Sequence, residues 1–397
     1  MTENQKKMTS LERRSAASLA LIFFLRMFGL FMILPVLSLY TEDMIGATPI
    51  LIGLAIGIYG LTQALLQIPF GMFSDRIGRK PVIAMGLLIF AVGSIIAALS
   101  DNIYILILGR ALQGAGAIAA SIMALATDLT RESQRTKAMA IIGISIGVAF
   151  TLAFIAGPVL NIWLGLDGLF WAAATLGFLA IFVLFYWVPQ PSEAAQISYA
   201  SKEQSFISVL KNPSLLRLDI SILILHLVLT ASFVVLPLAL RDHAGLAPEQ
   251  HWKSYLPVML LSIAFMVPFI RLAETRNLAK QVFMGAVALL AIAETGLWLG
   301  YDSTLWLSLM MLAFFTAFNY LEAALPSLVS RAAPAERKGA ALGVYSTSQF
   351  FGAFIGGTLG GWLYGKTGIG SVFLINAIFI MIWFVISIPM EIKSASR

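Results

Sequence analysis

Long apolar runs broken by short polar stretches dominate the chain. A helix crosses the hydrocarbon layer of a bilayer with about 20 mostly apolar residues. Twelve such runs occur, at roughly 16–40, 50–73, 81–100, 103–127, 138–160, 168–188, 218–240, 253–272, 280–300, 304–329, 339–363 and 371–390. They are too long for the strands of a membrane barrel and lack its alternation. The pattern therefore predicts an all-α membrane protein of twelve transmembrane helices, with short loops making consecutive spans antiparallel neighbours.

The longest connection, 189–217, divides the spans six and six. The expected domains are an N-terminal bundle over 1–188, a cytoplasmic linker over 189–217 and a C-terminal bundle over 218–397. Phe206, Val209 and Leu210 sit at helical spacing in the linker, which reads either as a short interfacial helix or as plain linker. Each half carries traces of the other. Pro69-Phe70 and Asp75 recur as Pro268-Phe269 and Glu274, Leu34-Pro35 as Leu236-Pro237, and Gly143 as Gly343, each in the corresponding span. Two pseudo-symmetric six-helix bundles flanking a central cavity form a transporter architecture.

Charge adds an orientation. Hydrophobic residues make up 59% of the 397 residues and charged ones 12%, too few to solubilise that much apolar surface. Of the 26 Lys and Arg, 21 fall on one side of the predicted spans and three, Arg241, Lys253 and Lys366, on the other. By the positive-inside rule both termini are cytoplasmic, and the net charge of +6 needs no nucleic acid. The first span is too long, and carries Arg26, to be a cleaved signal peptide. With no cysteine, thiolate catalysis and Cys-based metal sites are excluded. The three His are far apart, no catalytic or ATP-binding motif is present, and no cofactor or metal is expected. The chain is read as a transporter rather than an enzyme.

After the second span the chain reads Gly71-Met72-Phe73-Ser74-Asp75-Arg76-Ile77-Gly78-Arg79-Lys80. This resembles the G-x-x-x-D-R-x-G-R-K signature of the major facilitator superfamily at every fixed position. Leu108-Gly109-Arg110-Ala111-Leu112-Gln113-Gly114-Ala115-Gly116 in span four resembles the family's second signature, and Gly157-Pro158 in span five the centre of its antiporter motif, with the flanking positions degraded. Gly29 and Pro35 in span one fit a further pattern of the subgroup, with Ser38 in place of its last Pro. The whole chain is similar to the twelve-span drug:proton antiporter group. Some members carry a soluble C-terminal domain, whereas this chain stops just after span twelve.

The resemblance implies a conformational latch of Gly71, Asp75, Arg76, Gly78, Arg79, Lys80 and Asp128, holding the halves together when the cavity opens outward. Asp75 is expected to face the N-terminus of span eleven near Gly339, and Arg79 to pair with Asp128. The alternative is that Arg76, Arg79 and Lys80 only enforce topology. The resemblance also ties Arg110 to proton coupling; the other reading is a structural hydrogen-bonding arginine.

Ionisable groups within spans are costly and mark function by default. Glu322, Arg110, Arg26 and Glu294 are the proton-coupling candidates, with Glu322 first because Asn319 and Tyr320 lie beside it; the alternative is static pairing of the two Arg with the two Glu. Tyr59, Gln63, Gln67, Gln113, His226, Asn319 and Tyr320 are candidates to line a substrate cavity, or else bond helices together. Some multidrug members of the family that the chain resembles use an acid in span one for cations, so its absence here implies neutral or anionic solutes. The expected function is proton-coupled efflux of a small organic solute or drug by alternating access, from a monomer in a bacterial inner membrane whose partners are solute, protons and lipid. Proton-coupled uptake and a non-transporting sensor are the alternatives.

Overall fold

The computed structural model describes residues 7–190, 209–275, 278–334 and 337–392, and these are almost all helical. Most of the linker (191–208, with Phe206), and Lys6, Lys202, Arg276, Lys393 and Arg397 of the basic clusters, lie outside the described residues. In chain order the helices are α1 (Ser10–Phe31), α2 (Leu34–Tyr40), α3 (Pro49–Ile77), α4 (Arg79–Ala98), α5 (Ile103–Ala115), α6 (Ala119–Asp128), α7 (Glu132–Tyr186), α8 (Pro213–Asp242), α9 (Trp252–Thr275), α10 (Ala279–Leu299), α11 (Thr304–Ala332), α12 (Lys338–Thr367) and α13 (Ile369–Ser387).

Among the described residues ten helical stretches are long and apolar enough to cross a membrane; counting α7 twice and adding α12 gives twelve passages. α1 with α2, and α5 with α6, are single spans with a break. The 55 residues of α7 are two spans, because Gly165 has φ 67°, which interrupts the helix. α12 is 30 residues long but falls outside those ten, since it carries a run of hydroxyl and amide residues over 346–349 and many glycines.

Local chemistry sets several helix starts outside the apolar runs. Thr9 and Glu12 form a reciprocal capping box that starts α1. The Asn212 side chain accepts the backbone N–H groups of Ser214 and Leu215, and Pro213 takes the first helical position. α8 therefore starts five residues before its apolar run, and the last part of the expected linker is helix.

The chain forms two compact units. The first comprises Met1–Leu34 and Leu65–Glu203, the second Pro35–Ala64 and Gln204–Arg397. The boundary in the N-terminal half thus falls inside α3, and the loop before it and the first half of α3 belong with the C-terminal helices.

In the first unit, glycines let α4 and α5 touch backbone to backbone. A Cβ added to Gly93 would lie 2.7 Å from the Gly109 carbonyl oxygen, one on Gly109 would lie 2.7 Å from the Ala97 nitrogen, and one on Gly116 would collide with the Gly86 carbonyl. Gly109 and Gly116 of the second signature therefore serve close packing. Gly157 meets the Met32 carbonyl, at the break between α1 and α2, in the same way. Overpacking such a contact is expensive, so Gly93→Val should cost about 3 kcal/mol, read as a lower thermal midpoint. The basic ends of this unit are tied together: Arg14 donates to the Tyr186 and Trp187 carbonyls, Lys80 Nζ to the Val188 carbonyl at 2.6 Å, and Arg131 Nε to Glu12 Oε1 at 2.8 Å.

In the second unit α12 is packed on two sides by two glycine rows. Gly352, Gly356 and Gly360 meet Leu223, Leu227 and Ala231 of α8. Gly357, Gly361 and Gly365 meet the start of α3: a Cβ on Gly357 would lie 2.8 Å from Gly57 Cα, and one on Gly57 2.8 Å from the Phe354 carbonyl oxygen. The same end of this unit carries an ion pair between Arg241 Nη1, at the end of α8, and Glu42 Oε2 at 2.8 Å.

Candidate functional site

The signature after α3 folds around Arg79. Its Nη1 pairs with Asp75 and donates to Ser74 Oγ at 2.7 Å, its Nε lies 3.4 Å from Asp128 Oδ2, and Ser74 Oγ donates to the Gly71 carbonyl at 2.7 Å. Arg79 and Asp128 are buried, whereas Arg76 is exposed. Gly78 joins α3 to α4 at φ 100°, a conformation that disfavours any side chain. Gly71 lets α6 approach: its Cβ would lie 3.2 Å from Ala120 Cβ. Asp75 is thus held by the arginine one turn along. Lys80 reaches the end of α7, a role that the signature does not disclose.

A buried polar chain joins α5 to α4 in the first unit. Arg110 Nη1 donates to Gln113 Oε1 at 2.7 Å, Gln113 Nε2 to Ser94 Oγ at 2.8 Å, and Ser94 Oγ to the Phe90 carbonyl at 2.8 Å. The Arg26 guanidinium lies over the Phe90 ring, 5.6 Å from its centroid. Both arginines are buried. Gln67 is also buried in this unit; Tyr59 and Gln63, on the same helix, are buried in the second.

The two intramembrane glutamates occupy unlike sites. Glu294 is fully buried and joins three helices: Ser232 Oγ (α8) donates to its Oε1 at 2.6 Å, and Asn376 Nδ2 (α13) lies 3.4 Å from its Oε2 and 2.9 Å from Ser232 Oγ. Glu322 keeps 35% of its side chain exposed. Its Oε1 accepts from Gln349 Nε2 (α12) at 3.0 Å, and its Oε2 lies 3.8 Å from His226 Nε2 (α8). The same Gln349 nitrogen lies 2.9 Å from His226 Nε2. An amide NH2 only donates, so it gives one hydrogen to the carboxylate and one to the imidazole, whose Nε2 is then bare. The mutual pairing of two arginines with two glutamates is thus replaced, at both glutamates, by neutral amide, hydroxyl and imidazole partners.

Asn319 and Tyr320 point elsewhere. Asn319 Nδ2 donates to Ser262 Oγ at 3.0 Å, and the Tyr320 ring stands 5.9 Å from that of Phe269, both on α9. Tyr320, two positions from Glu322, falls on the opposite side of the helix, and Asn319, three positions away, is taken up by α9. The partners of Glu322 come instead from α8 and α12, at separations no local pattern signals.

The family model for the Major Facilitator Superfamily matches residues 19–293 and 218–394. The chain belongs to the major facilitator superfamily. It is 50% identical over 389 residues to the inner membrane transport protein YajR of Escherichia coli K12, covering 98% of this chain and 86% of that protein. It is 27% identical over 369 residues to the multidrug resistance protein MdtH of Yersinia pestis, covering 90% and 89%. Among solved structures, a bacterial homologue of the human lysosomal transporter Spinster, inward-facing and occupied, superposes with a TM-score of 0.79 over 96% of this chain and 97% of that one, at 14% identity. The protein is a multi-pass membrane transporter with the all-α fold of this superfamily.

Proposed function

We propose that this transporter exports small amphipathic organic compounds in exchange for protons, across a bacterial inner membrane with both termini in the cytoplasm, and that it works as a monomer. The observation that carries the coupling is the partly exposed Glu322 side chain, its carboxylate held by Gln349 and facing His226. Export is supported by the similarity to a protein named for multidrug resistance, and the orientation by the 21-to-3 partition of basic residues.

The geometry suggests how a proton moves helices. Gln349 binds the carboxylate and the imidazole together, so protonating either one removes an acceptor. A protonated Glu322 is a weaker acceptor, and a protonated His226 can no longer accept at Nε2 and is drawn to Oε2. Both changes loosen α12 from α8 and α11. Gln349 lies eight residues, about 12 Å, from Gly357, where the same helix meets the start of α3. In this reading proton loading releases that contact, and the end carrying Glu42 and Arg241 opens. The Arg79 cluster serves as the latch of the opposite end.

Two measurements address this reading. A panel of neutral, anionic and cationic compounds is screened for thermal stabilisation of the purified protein, and the stabilising compounds are then tested for flux in proteoliposomes. Export predicts pH-gradient-driven flux; gradient-independent flux, or none from a stabilising compound, contradicts it. Removing Arg79 leaves the buried Asp128 carboxylate without its guanidinium, which should cost about 3–5 kcal/mol. Arg79→Met should therefore lower the thermal midpoint clearly, while Arg76→Met leaves it unchanged.

A further inference from the structure

We propose that the outward groove between α10 and α13 binds a phospholipid of the surrounding bilayer, with the lipid phosphate on Lys280 and one acyl chain lying along α13. The proposal needs the chain to span a bilayer and is independent of the direction and coupling of transport.

Lys280 is the second residue of α10. Its Nζ donates at 2.8 Å to the carbonyl of Ile388, just past the end of α13. A carbonyl at a helix end has no partner inside its own helix, so this contact caps α13. The first unit makes the same contact. Lys80, the second residue of α4, donates to the Val188 carbonyl just past the end of α7. Lys280 stands 200 positions after Lys80, and Ile388 stands 200 after Val188, so the two caps belong to the internal repeat. Their surroundings differ. Lys80 is 6% exposed, whereas Lys280 is partly exposed. An ammonium has three N–H donors, and Ile388 is the only partner of Lys280 among the described residues. Two donors are therefore left where α10 enters the bilayer.

The groove begins beside this lysine. It is lined on α13 from Leu374 to Ile386, including Ile378 and Met381, and on α10 by Thr295 and Trp298. Ile386 is two residues before the Ile388 carbonyl, about 3 Å along the axis. Lys280 lies fifteen residues before Thr295, just over four turns, and so stands on nearly the same side of α10. The space measures about 530 Å³, in the range of sites that hold an organic ligand. From Leu374 to Ile386 it runs about 18 Å, a little more than the roughly 15 Å of one hydrocarbon leaflet. Trp298, Ile378 and Met381 are exposed, so the groove faces lipid. No charged residue lines it, and Thr295 carries its only hydroxyl.

An acyl chain gains little merely by leaving other tails, which are as apolar as leucine. Recognition has to come from the shape of the groove and from the head group. A basic residue between helices at the membrane surface attracts a lipid phosphate, and lysine binds phosphate as a point charge. The nearest acid along the chain, Glu391, is exposed and makes no contact with Lys280 among the described residues. The lysine and the groove thus match the two ends of one molecule.

The full-length protein in detergent is titrated with phosphatidylglycerol brominated near the ends of its chains, and tryptophan quenching is read. Trp298 lines the groove, so the quenching should contain a saturable component that Trp298→Phe removes. Lys280→Met should raise the half-saturation concentration about fivefold, and Lys280→Arg should restore most of the affinity. Ala377→Phe fills the groove and should abolish the saturable component. Leu179→Phe, at an exposed position on α7, should leave it unchanged. Diacylglycerol with the same brominated chains lacks the phosphate and should bind the unaltered protein about fivefold more weakly. That comparison carries the test if the Lys280 variants do not fold. Glycerol phosphate, which has no chains, should not compete. Equal half-saturation by the two lipids, competition by glycerol phosphate, or a saturable component that survives Trp298→Phe overturns the proposal.

Discussion

Gly57→Leu should abolish transport without unfolding the protein. A Cβ at this position lies 2.8 Å from the Phe354 carbonyl oxygen, backbone that no side-chain rotation can move aside. Gly53 and Gly357 have similarly little room, so the start of α3 and the outer half of α12 meet only because both rows lack side chains. Overpacking here should cost about 3 kcal/mol, enough to shift a two-state equilibrium roughly a hundredfold. In an alternating-access protein that penalty falls on the state in which this contact is made. The chain has no cysteine, so Glu42→Cys with Arg241→Cys reports on this end directly. A short thiol cross-linker should join the pair in the otherwise unchanged protein and fail to do so once Gly57→Leu is added. Gly285→Leu, at a glycine with nothing within 4 Å of its Cβ, should change neither cross-linking nor transport. Efficient cross-linking in the Gly57 variant would remove this contact from the transport cycle.

The second large effect is expected at Glu322. Glu322→Gln keeps the size of the side chain and an oxygen that can accept from Gln349, but it cannot exchange a proton. Each proton moved down one pH unit supplies about 1.4 kcal/mol, a tenfold accumulation of solute. The variant should lose this factor entirely while still exchanging solute for solute. Glu294→Gln should behave differently. That carboxyl is fully enclosed by Ser232 and Asn376, and the expected loss is of stability, with coupling retained. The separation of the two phenotypes is measured as gradient-driven uptake against counterflow in the same vesicles.

Much of this architecture is legible in the chain because bilayer crossing imposes a length on every apolar run, and Pro, Gly and charge mark the ends. The signature after the second span is equally plain, since its residues act locally. Gly78 makes a left-handed turn, Arg79 has two acids within reach, and Gly71 admits a close neighbour. Asp219, buried inside α8, escapes a reading of the apolar runs for a physical reason. It stands at the edge of such a run and reads as a loop-end acid if the helix starts at 218. The Asn212-Pro213 cap is the signal that the helix starts earlier and that Asp219 is inside it. Gln349 is invisible as a partner of Glu322 because their meeting depends on how α12 packs. The glycine rows at 352, 356, 360 and 357, 361, 365 are readable at a spacing of four, but not which helix each would meet. The grouping of 35–64 with the C-terminal helices belongs to a particular arrangement of the fold, which composition and periodicity do not encode.

The central claim is that proton movement through Glu322 drives solute export. It is tested most directly in everted membrane vesicles with an acidified lumen and a pH-sensitive dye inside, using a compound first shown to bind by thermal stabilisation. Addition of that compound should raise the luminal pH in vesicles carrying the unaltered protein and leave it unchanged in those carrying Glu322→Gln. Alkalinisation of equal size in both, or in neither, would contradict it.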